Sequence, residues 1–157
     1  MRLAALGLVL AATLATAAPV DVGTALAGFT LDDQHGVPGT VDGRTRIVLF
    51  TREMKGGDVA KAALAGADQS FLDARGLVYV ADVSRMPAVV LRLFALPRLR
   101  ERPYRMLLDR DGTQTRELPS PEGHATVLFL TELRVTRIAD YGSAAELRAA
   151  LESAPGR

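Results

Sequence analysis

Two uninterrupted apolar runs constrain the fold of this chain more than any other feature. Residues 46–50 (RIVLF) and 77–81 (LVYVA) have the length of β-strands. Continuous apolar runs of this length suit central strands that are covered on both faces. Between them lie helix signals: Asp58 as the N-cap of a helix over residues 59–64, then a helical piece over 68–74 that ends at Gly76. The pattern predicts a parallel βαβ unit.

A helix is also predicted over residues 86–96. Its apolar side chains recur at i, i+3, i+4, i+7 and i+8, which is the spacing of one helical face, and we expect that face to pack on the core. Pro87 suits the first turn of this helix, and Pro97 is predicted to end it. The face consists of Met86, Val89, Val90, Leu93 and Phe94.

The remaining elements predict an α/β fold with a mixed sheet and helices on both faces. A strand is expected near the start, from Phe29 to Gln34, and is ended by a turn at residues 35–39. The second half is expected to contain strands at 104–108 and 113–118 around the turn 109–112, a hairpin of 125–130 with 133–139, and a closing helix capped by Ser143 and Glu146.

The first 17 residues have the pattern of a secretory signal. A basic start at Arg2 precedes an apolar run over residues 3–14 and the small residues Ala15-Thr16-Ala17. A run of about 12 residues is too short to span a bilayer. We therefore expect cleavage after Ala17, a single domain over residues 18–157 without a transmembrane segment, and a periplasmic or secreted location.

Composition excludes several classes of function. The chain has no cysteine, which rules out thiol catalysis, disulfide exchange and thiolate metal sites. Its 19 basic and 18 acidic side chains give no net field that would favour nucleic acid. No phosphate-binding glycine loop, dinucleotide fingerprint or serine nucleophile motif is present, so the sequence predicts no cofactor and gives no catalytic residue.

Several segments in this order resemble the thioredoxin-like superfamily, in its peroxiredoxin and thiol-disulfide reductase branch. They are 29–36 (FTLDDQHG), 47–50 (IVLF), 80–84 (VADVS), 103–112 (PYRMLLDRDG) and the closing hairpin and helix. The resemblance implies a mixed sheet flanked by helices, with an extra N-terminal strand and a C-terminal hairpin plus helix. Either the pair of strands at 104–118 or the hairpin at 125–139 corresponds to the family's last two strands, and the other pair is an insertion.

The resemblance also implies where the family's functional residues would fall. The redox motif would lie within Thr51–Gly57, and the family's cis-proline would be Pro103. Residues 52–55 (REMK) contain no cysteine, so the usual thiol activity is not inherited.

Two basic segments are candidate binding sites. The loop after the first buried strand combines a helix start with a glycine pair and two cations, which favours an anion; the alternative is a solvated loop left by a lost redox centre. A second, arginine-rich cluster suits an acidic partner, a phosphate or a lipid headgroup; the alternative is a solvated face. The candidate residues are Arg52, Glu53, Lys55, Gly56 and Gly57 in the loop, and Arg98, Arg100, Arg102 and Arg105, with Arg92, in the cluster.

The two histidines, His35 and His124, lie beside glycines in predicted turns, so we interpret them as exposed residues and expect no metal site. The sequence favours an exported, non-catalytic binding or accessory module whose partner is an unknown protein or a small anionic ligand. Two alternatives stay open. One is a non-thiol oxidoreductase with a phosphate-bearing, flavin-type cofactor, and the other is a small-ligand carrier with an apolar pocket beneath the 86–96 helix.

Overall fold

A five-stranded mixed sheet, in the order β5-β4-β3-β6-β7, organises the fold. The computed structural model describes residues 18–155, so the predicted signal peptide at residues 1–17 lies outside the described residues. The strands β3, β4 and β5 are parallel, and β6 and β7 complete the sheet as an antiparallel hairpin beside β3. Their bounds are β3 Ile47–Thr51, β4 Leu77–Asp82, β5 Met106–Asp109, β6 Ala125–Thr131 and β7 Arg134–Tyr141.

The predicted mixed sheet flanked by helices is confirmed, with one difference: the helices cover a single face. Ile47 and Leu49 of β3 point to that face, and the buried side chains of every helix in residues 18–155 join the same apolar cluster. Val48 and Phe50 point to the other face, which is closed by Val41, Leu118 and the segment from Val20 to Leu31. The helices are α1 Met54–Ala63, α2 Gln69–Asp73, α3 Ala88–Val90, a π-helical turn Leu91–Ala95, α4 Leu96–Arg100 and α5 Ala144–Ser153.

The N-terminal part forms a separate two-stranded sheet of β1 Phe29–Asp32 and β2 Pro38–Val41. The turn between them is built on the carboxylate of Asp33, which accepts hydrogen bonds from the backbone N–H groups of His35 and Val37. The sequence predicts a turn here but not the strand β2. Pro38, which begins β2, carries no backbone N–H to donate to a partner strand.

Gln34 and two arginines fix this hairpin to the main sheet. The buried Gln34 side chain donates to the carbonyl of Tyr104 (2.7 Å) and accepts from the N–H of Met106 (2.9 Å). Arg105 Nε donates to Asp33 Oδ2 (2.9 Å), and Arg100 Nε donates to the carbonyl of Gln34 (2.9 Å). The approach to β5 is thereby hydrogen-bonded to a hairpin more than 60 residues earlier in the chain.

The segments Ala88–Val90, Leu91–Ala95 and Leu96–Arg100 are contiguous and form what we call the 88–100 helix. Its predicted end at Pro97 is wrong, because Pro97 lies in the first turn of α4. A proline inside a helix clashes with the carbonyl four residues before it, and the wider π turn directly before Pro97 relieves that conflict. The predicted inward face is also wrong: Leu91 and Leu96 are buried, whereas Val89 and Leu93 are exposed.

Two further predictions are corrected at the ends of elements. Residues 113–118 form turns and no strand, because the buried carboxylate of Asp109 holds the N–H and hydroxyl of Thr115. The hairpin of β6 and β7 is therefore the closing pair, and β5 is an added parallel strand. The first helix begins at Met54 and not after Asp58, with Glu53 as its N-cap. In residues 18–155 no helix has the length and apolarity that a membrane crossing requires.

The role of Gln34 gives the first prediction. Replacement of Gln34 with Leu keeps the volume nearly constant but leaves the buried N–H of Met106 and the carbonyl of Tyr104 without partners. We expect the free energy of unfolding in urea to fall by about 2–4 kcal/mol. The matched control Gln114→Leu changes an exposed glutamine and should stay within about 0.5 kcal/mol of the wild type. Equal urea midpoints for the two variants would contradict this assignment.

Candidate functional site

The carboxyl ends of the parallel strands β3, β4 and β5 meet at one edge of the sheet. Loops that follow these ends are where open α/β folds place their binding residues. Three segments converge there: residues 52–57 after β3, 83–87 after β4 and 110–118 after β5. We call this region the carboxyl edge.

Arg52, predicted to bind an anion, joins these loops to one another. Its Nε donates to Asp82 Oδ2 (2.9 Å), and its terminal NH2 donates to the carbonyl of Thr115 (2.6 Å). The guanidinium also lies over the ring of Phe50 at 5.2 Å, and the side chain is only 16% exposed. Arg52 is therefore engaged inside the protein, and little of its hydrogen-bonding capacity faces solvent.

Asp82 is the anionic partner of this arginine. Burial by itself would raise the pKa of Asp82, but hydrogen bonds from the hydroxyl and N–H of Ser84 and from Arg52 outweigh it and lower the pKa below its ordinary value. Because the folded-state pKa is below the unfolded one, Asp82 stabilises the fold above the unfolded pKa of about 3.9. That stabilisation is lost as the pH falls through the folded pKa.

The polar groups beneath the carboxyl edge satisfy one another. Asp109 is fully buried and accepts hydrogen bonds from the N–H of Gly112 and from Thr115. Ser84 donates its hydroxyl to Asp82 at 2.6 Å, and the lowered pKa of Asp82 makes this carboxylate a weak base. Across residues 18–155, every buried side-chain nitrogen and oxygen has a hydrogen-bond partner. These groups form a hydrogen-bonded network that holds the loops of the carboxyl edge.

Gly56 marks the closest contact of the 52–57 loop. An ideal Cβ at this residue would lie 2.2 Å from the carbonyl oxygen of His124, whereas a Cβ at Gly57 would meet nothing within 4 Å. His124 is held in turn, since its Nδ1 lies 2.7 Å from the carbonyl of Glu122 and its ring lies against Gly142. The backbone before β6 therefore packs directly on the first turn of α1 and requires glycine at position 56. This contact explains why α1 begins before the glycine pair, despite the poor helix propensity of glycine.

The other candidates in the loop face solvent. Met54 is 81% exposed, Lys55 is exposed beside Gly123, and Glu53 is half-buried. An anion at this loop would thus meet Lys55 and the first turn of α1, with Arg52 turned to Asp82.

The structure does not bring the arginine cluster to this loop. Arg105 precedes β5, so it lies at the opposite edge of the sheet from Arg52, and besides Asp33 it donates to the carbonyls of Val37 and Pro38. Arg102 contacts Tyr104, while Arg98 and Arg92 are exposed on the 88–100 helix. The cluster divides into arginines that hold the N-terminal hairpin and arginines that face solvent.

Pro103 lies in the turn before β5. Residues 18–155 contain no cis peptide bond, so the predicted cis bond before Pro103 is wrong. Pro103 also precedes the added edge strand β5 and not the closing hairpin, and its carbonyl accepts the N–H of Gln69.

The space beneath the 88–100 helix, where a carrier would need its apolar pocket, is occupied by Leu91 and Leu96 in the core. An open pocket of about 400 Å³ lies instead at the amino end of β4, beside Arg44, Gln69 and Arg105.

One surface of the molecule is not predicted by the sequence. Val89, Val90, Leu93 and Phe94 were assigned to the core and are exposed. The signal that could have revealed them is the composition of residues 88–99, which are apolar on every side of the helix apart from Arg92, Pro97 and Arg98. A helix that is apolar all round cannot be oriented by periodicity alone.

The contact at Gly56 gives the second prediction. Gly56→Ala forces its new methyl group against a backbone carbonyl, so we expect a loss of about 1–3 kcal/mol in the free energy of unfolding. Gly57→Ala, one residue later in the same helix, should instead stabilise the fold by about 0.5–1 kcal/mol, since alanine is the better helix former. Thermal unfolding of both variants measures the difference; stabilisation by Gly56→Ala would refute the close packing.

Comparisons with known proteins identify the fold. No family model matches the chain, and no curated protein matches it. Solved structures do match. A thio-disulfide isomerase from Thermus thermophilus has a TM-score of 0.53 and 22% identity, over 88% of this chain and 99% of that one. Peroxidoxin BcpB from Mycobacterium tuberculosis has a TM-score of 0.53 and 18% identity, over 83% and 94%.

The thioredoxin domain of a thiol-disulfide oxidoreductase from Bacteroides vulgatus matches with a TM-score of 0.52 and 12% identity, over 85% of this chain and 96% of that one. Identities this low speak for the fold alone. The chain has a thioredoxin-like fold, like that of peroxiredoxins and thiol-disulfide oxidoreductases, and it has this fold without a cysteine.

Proposed function

We propose that this chain is an exported, non-catalytic thioredoxin-like protein that acts as a binding or accessory module. The observation that carries the proposal is Gly56. It lies in the segment where the family's redox motif would fall, and its contact with the carbonyl of His124 leaves no room for any side chain. A cysteine there would need the backbone of α1 or of the 121–124 loop to move.

The chemistry of the carboxyl edge supports the absence of catalysis. Thiol-disulfide exchange proceeds by attack of a thiolate on a disulfide sulfur, and this chain has no thiol. The activities named for the similar structures therefore have no reacting group here. The hydroxyl of Ser84 and the guanidinium of Arg52, two further polar groups at this edge, are both bound to Asp82.

Three of the candidate arginines are not free to hold a phosphate-bearing cofactor. Such a group needs cations with free N–H donors. Arg52 donates to Asp82 and Thr115, Arg100 to Gln34, and Arg105 to Asp33. A binding role instead draws on what the fold leaves exposed, namely Met54 and Lys55 at the start of α1 and the outward side chains of the 88–100 helix.

Export follows from the signal pattern at residues 1–17 and gives the third prediction. Protein recovered from the periplasm of a Gram-negative host should have the intact mass of residues 18–157. Gln in place of both Ala15 and Ala17 should leave the precursor uncut, because signal peptidase requires small residues there. The control Ala18→Gln changes the residue after the cut and should still be processed. A cytoplasmic, full-length wild-type protein would argue against export.

The non-catalytic role gives the fourth prediction. Native mass spectrometry of the purified protein should show the apo mass, equal to its mass after denaturation. The same sample should neither reduce insulin disulfides nor consume peroxide above the buffer rate. An adduct of flavin or nucleotide mass, or turnover in either assay, would contradict the proposal and favour a cofactor-dependent oxidoreductase.

A further inference from the structure

The 88–100 helix presents an apolar ridge to solvent. Val89, Val90, Leu93 and Phe94 are spaced i, i+1, i+4 and i+5 and expose 64%, 40%, 64% and 60% of their surfaces. Leu91 and Leu96, on the other side of the helix, are buried against the sheet. The ridge is therefore held in place by the core and is preformed.

The charged residues of this helix and of the loop just before it are all basic. Residues 83–100 contain four arginines and no aspartate or glutamate, although acidic and basic side chains are almost balanced over the whole chain. Arg85, Arg92 and Arg98 are exposed. None of these three guanidinium groups makes a hydrogen bond or ion pair with any residue between 18 and 155 that the structure records. The segment that carries the ridge thus also carries three exposed cations that have no internal anion.

We propose that this ridge and its three arginines form a docking surface for an anionic lipid bilayer. A helix whose apolar side chains project beside cations lies in the plane of the membrane interface, with the apolar side chains among the acyl chains and the arginines at the phosphates. The 88–100 helix is shorter than the roughly 20 residues needed to cross a bilayer, so it lies on the membrane and does not span it. The inference extends the proposed function, and it rests on it in one respect: export places the protein beside a membrane.

The shape of the surface favours a bilayer over a peptide. An apolar peptide is bound by a groove that covers its side chains on several sides. Here the ridge side chains stand out from the helix, with Phe94 60% exposed, so they need a partner that deforms around them. Lipid does this without a complementary shape, and phosphate headgroups supply the anions that Arg85, Arg92 and Arg98 lack.

The fifth prediction tests this surface by flotation with vesicles. Residues 18–157, which contain every described element, should float with vesicles of phosphatidylcholine mixed with phosphatidylglycerol and should not float with phosphatidylcholine alone. High salt should weaken the binding, because the headgroup contacts are screened.

Two triple variants separate the two contributions. Removing the charges in Arg85→Gln/Arg92→Gln/Arg98→Gln should weaken binding about 100-fold, at about fivefold for each arginine. Removing the ridge in Val89→Ser/Leu93→Ser/Phe94→Ser should weaken it at least about 10-fold. The matched controls are Arg110→Gln/Arg116→Gln and Val22→Ser/Val37→Ser, which alter exposed residues elsewhere and should bind as the wild type does. Thermal unfolding verifies that each variant is folded.

Three outcomes would overturn the proposal. They are a folded wild type that fails to float with the anionic vesicles, equal binding by the ridge variant, and a dimer in sedimentation equilibrium that the ridge variant dissociates. The last would assign the ridge to a second copy of the chain. Loss of lipid binding together with an apo native mass would leave the non-catalytic role standing, so the two proposals fail separately.

Discussion

The face of the sheet without helices is closed by loops and a two-stranded hairpin, and buried polar side chains make that closure stable. A helix satisfies its own N–H and carbonyl groups, but a loop over a core does not. Here Asp33 and Gln34 satisfy the backbone of the hairpin turn and of the approach to β5. Asp109 and Arg52 do the same for residues 112–118. With these groups paired, Leu31 and Leu118 can pack against Phe50.

This way of closing the second face has a functional consequence. In an open α/β fold the loops at the carboxyl edge are the usual place for reactive side chains. In this chain three charged residues at that edge, Arg52, Asp82 and Asp109, hold the covering loops. The helix start beside them is fixed by the contact of Gly56 with His124. Arg52, Asp82 and Asp109 therefore hold the fold together at this edge.

Local sequence was sufficient for the strands and insufficient for the covering segments. The runs at 46–50 and 77–81 predicted β3 and β4 to within one residue, because a buried parallel strand needs nothing but apolar side chains. The strand predicted at 113–118 does not form, because the N–H of Thr115 donates to the carboxylate of Asp109, several residues earlier in the chain. The glycine pair was visible in the sequence, but the packing of Gly56 and not Gly57 depends on a loop nearly 70 residues away. The prediction that Arg52 binds an anion was made without its partner Asp82, because Asp82 lies 30 residues later in the chain.

The 88–100 helix shows how one sequence can support two orientations. Val89, Val90, Leu93 and Phe94 follow a regular α-helical stripe, whereas the buried pair Leu91 and Leu96 is spaced by five residues, which only a π turn places on one side. Pro97 favours burial of Leu91 and Leu96. A proline disfavours a regular α-helical turn directly before it, and the wider π turn found there brings these two leucines to one side of the helix. The regular stripe is then left outside. A helix that faces water usually carries polar residues on its outer side, whereas this one carries four large apolar side chains there.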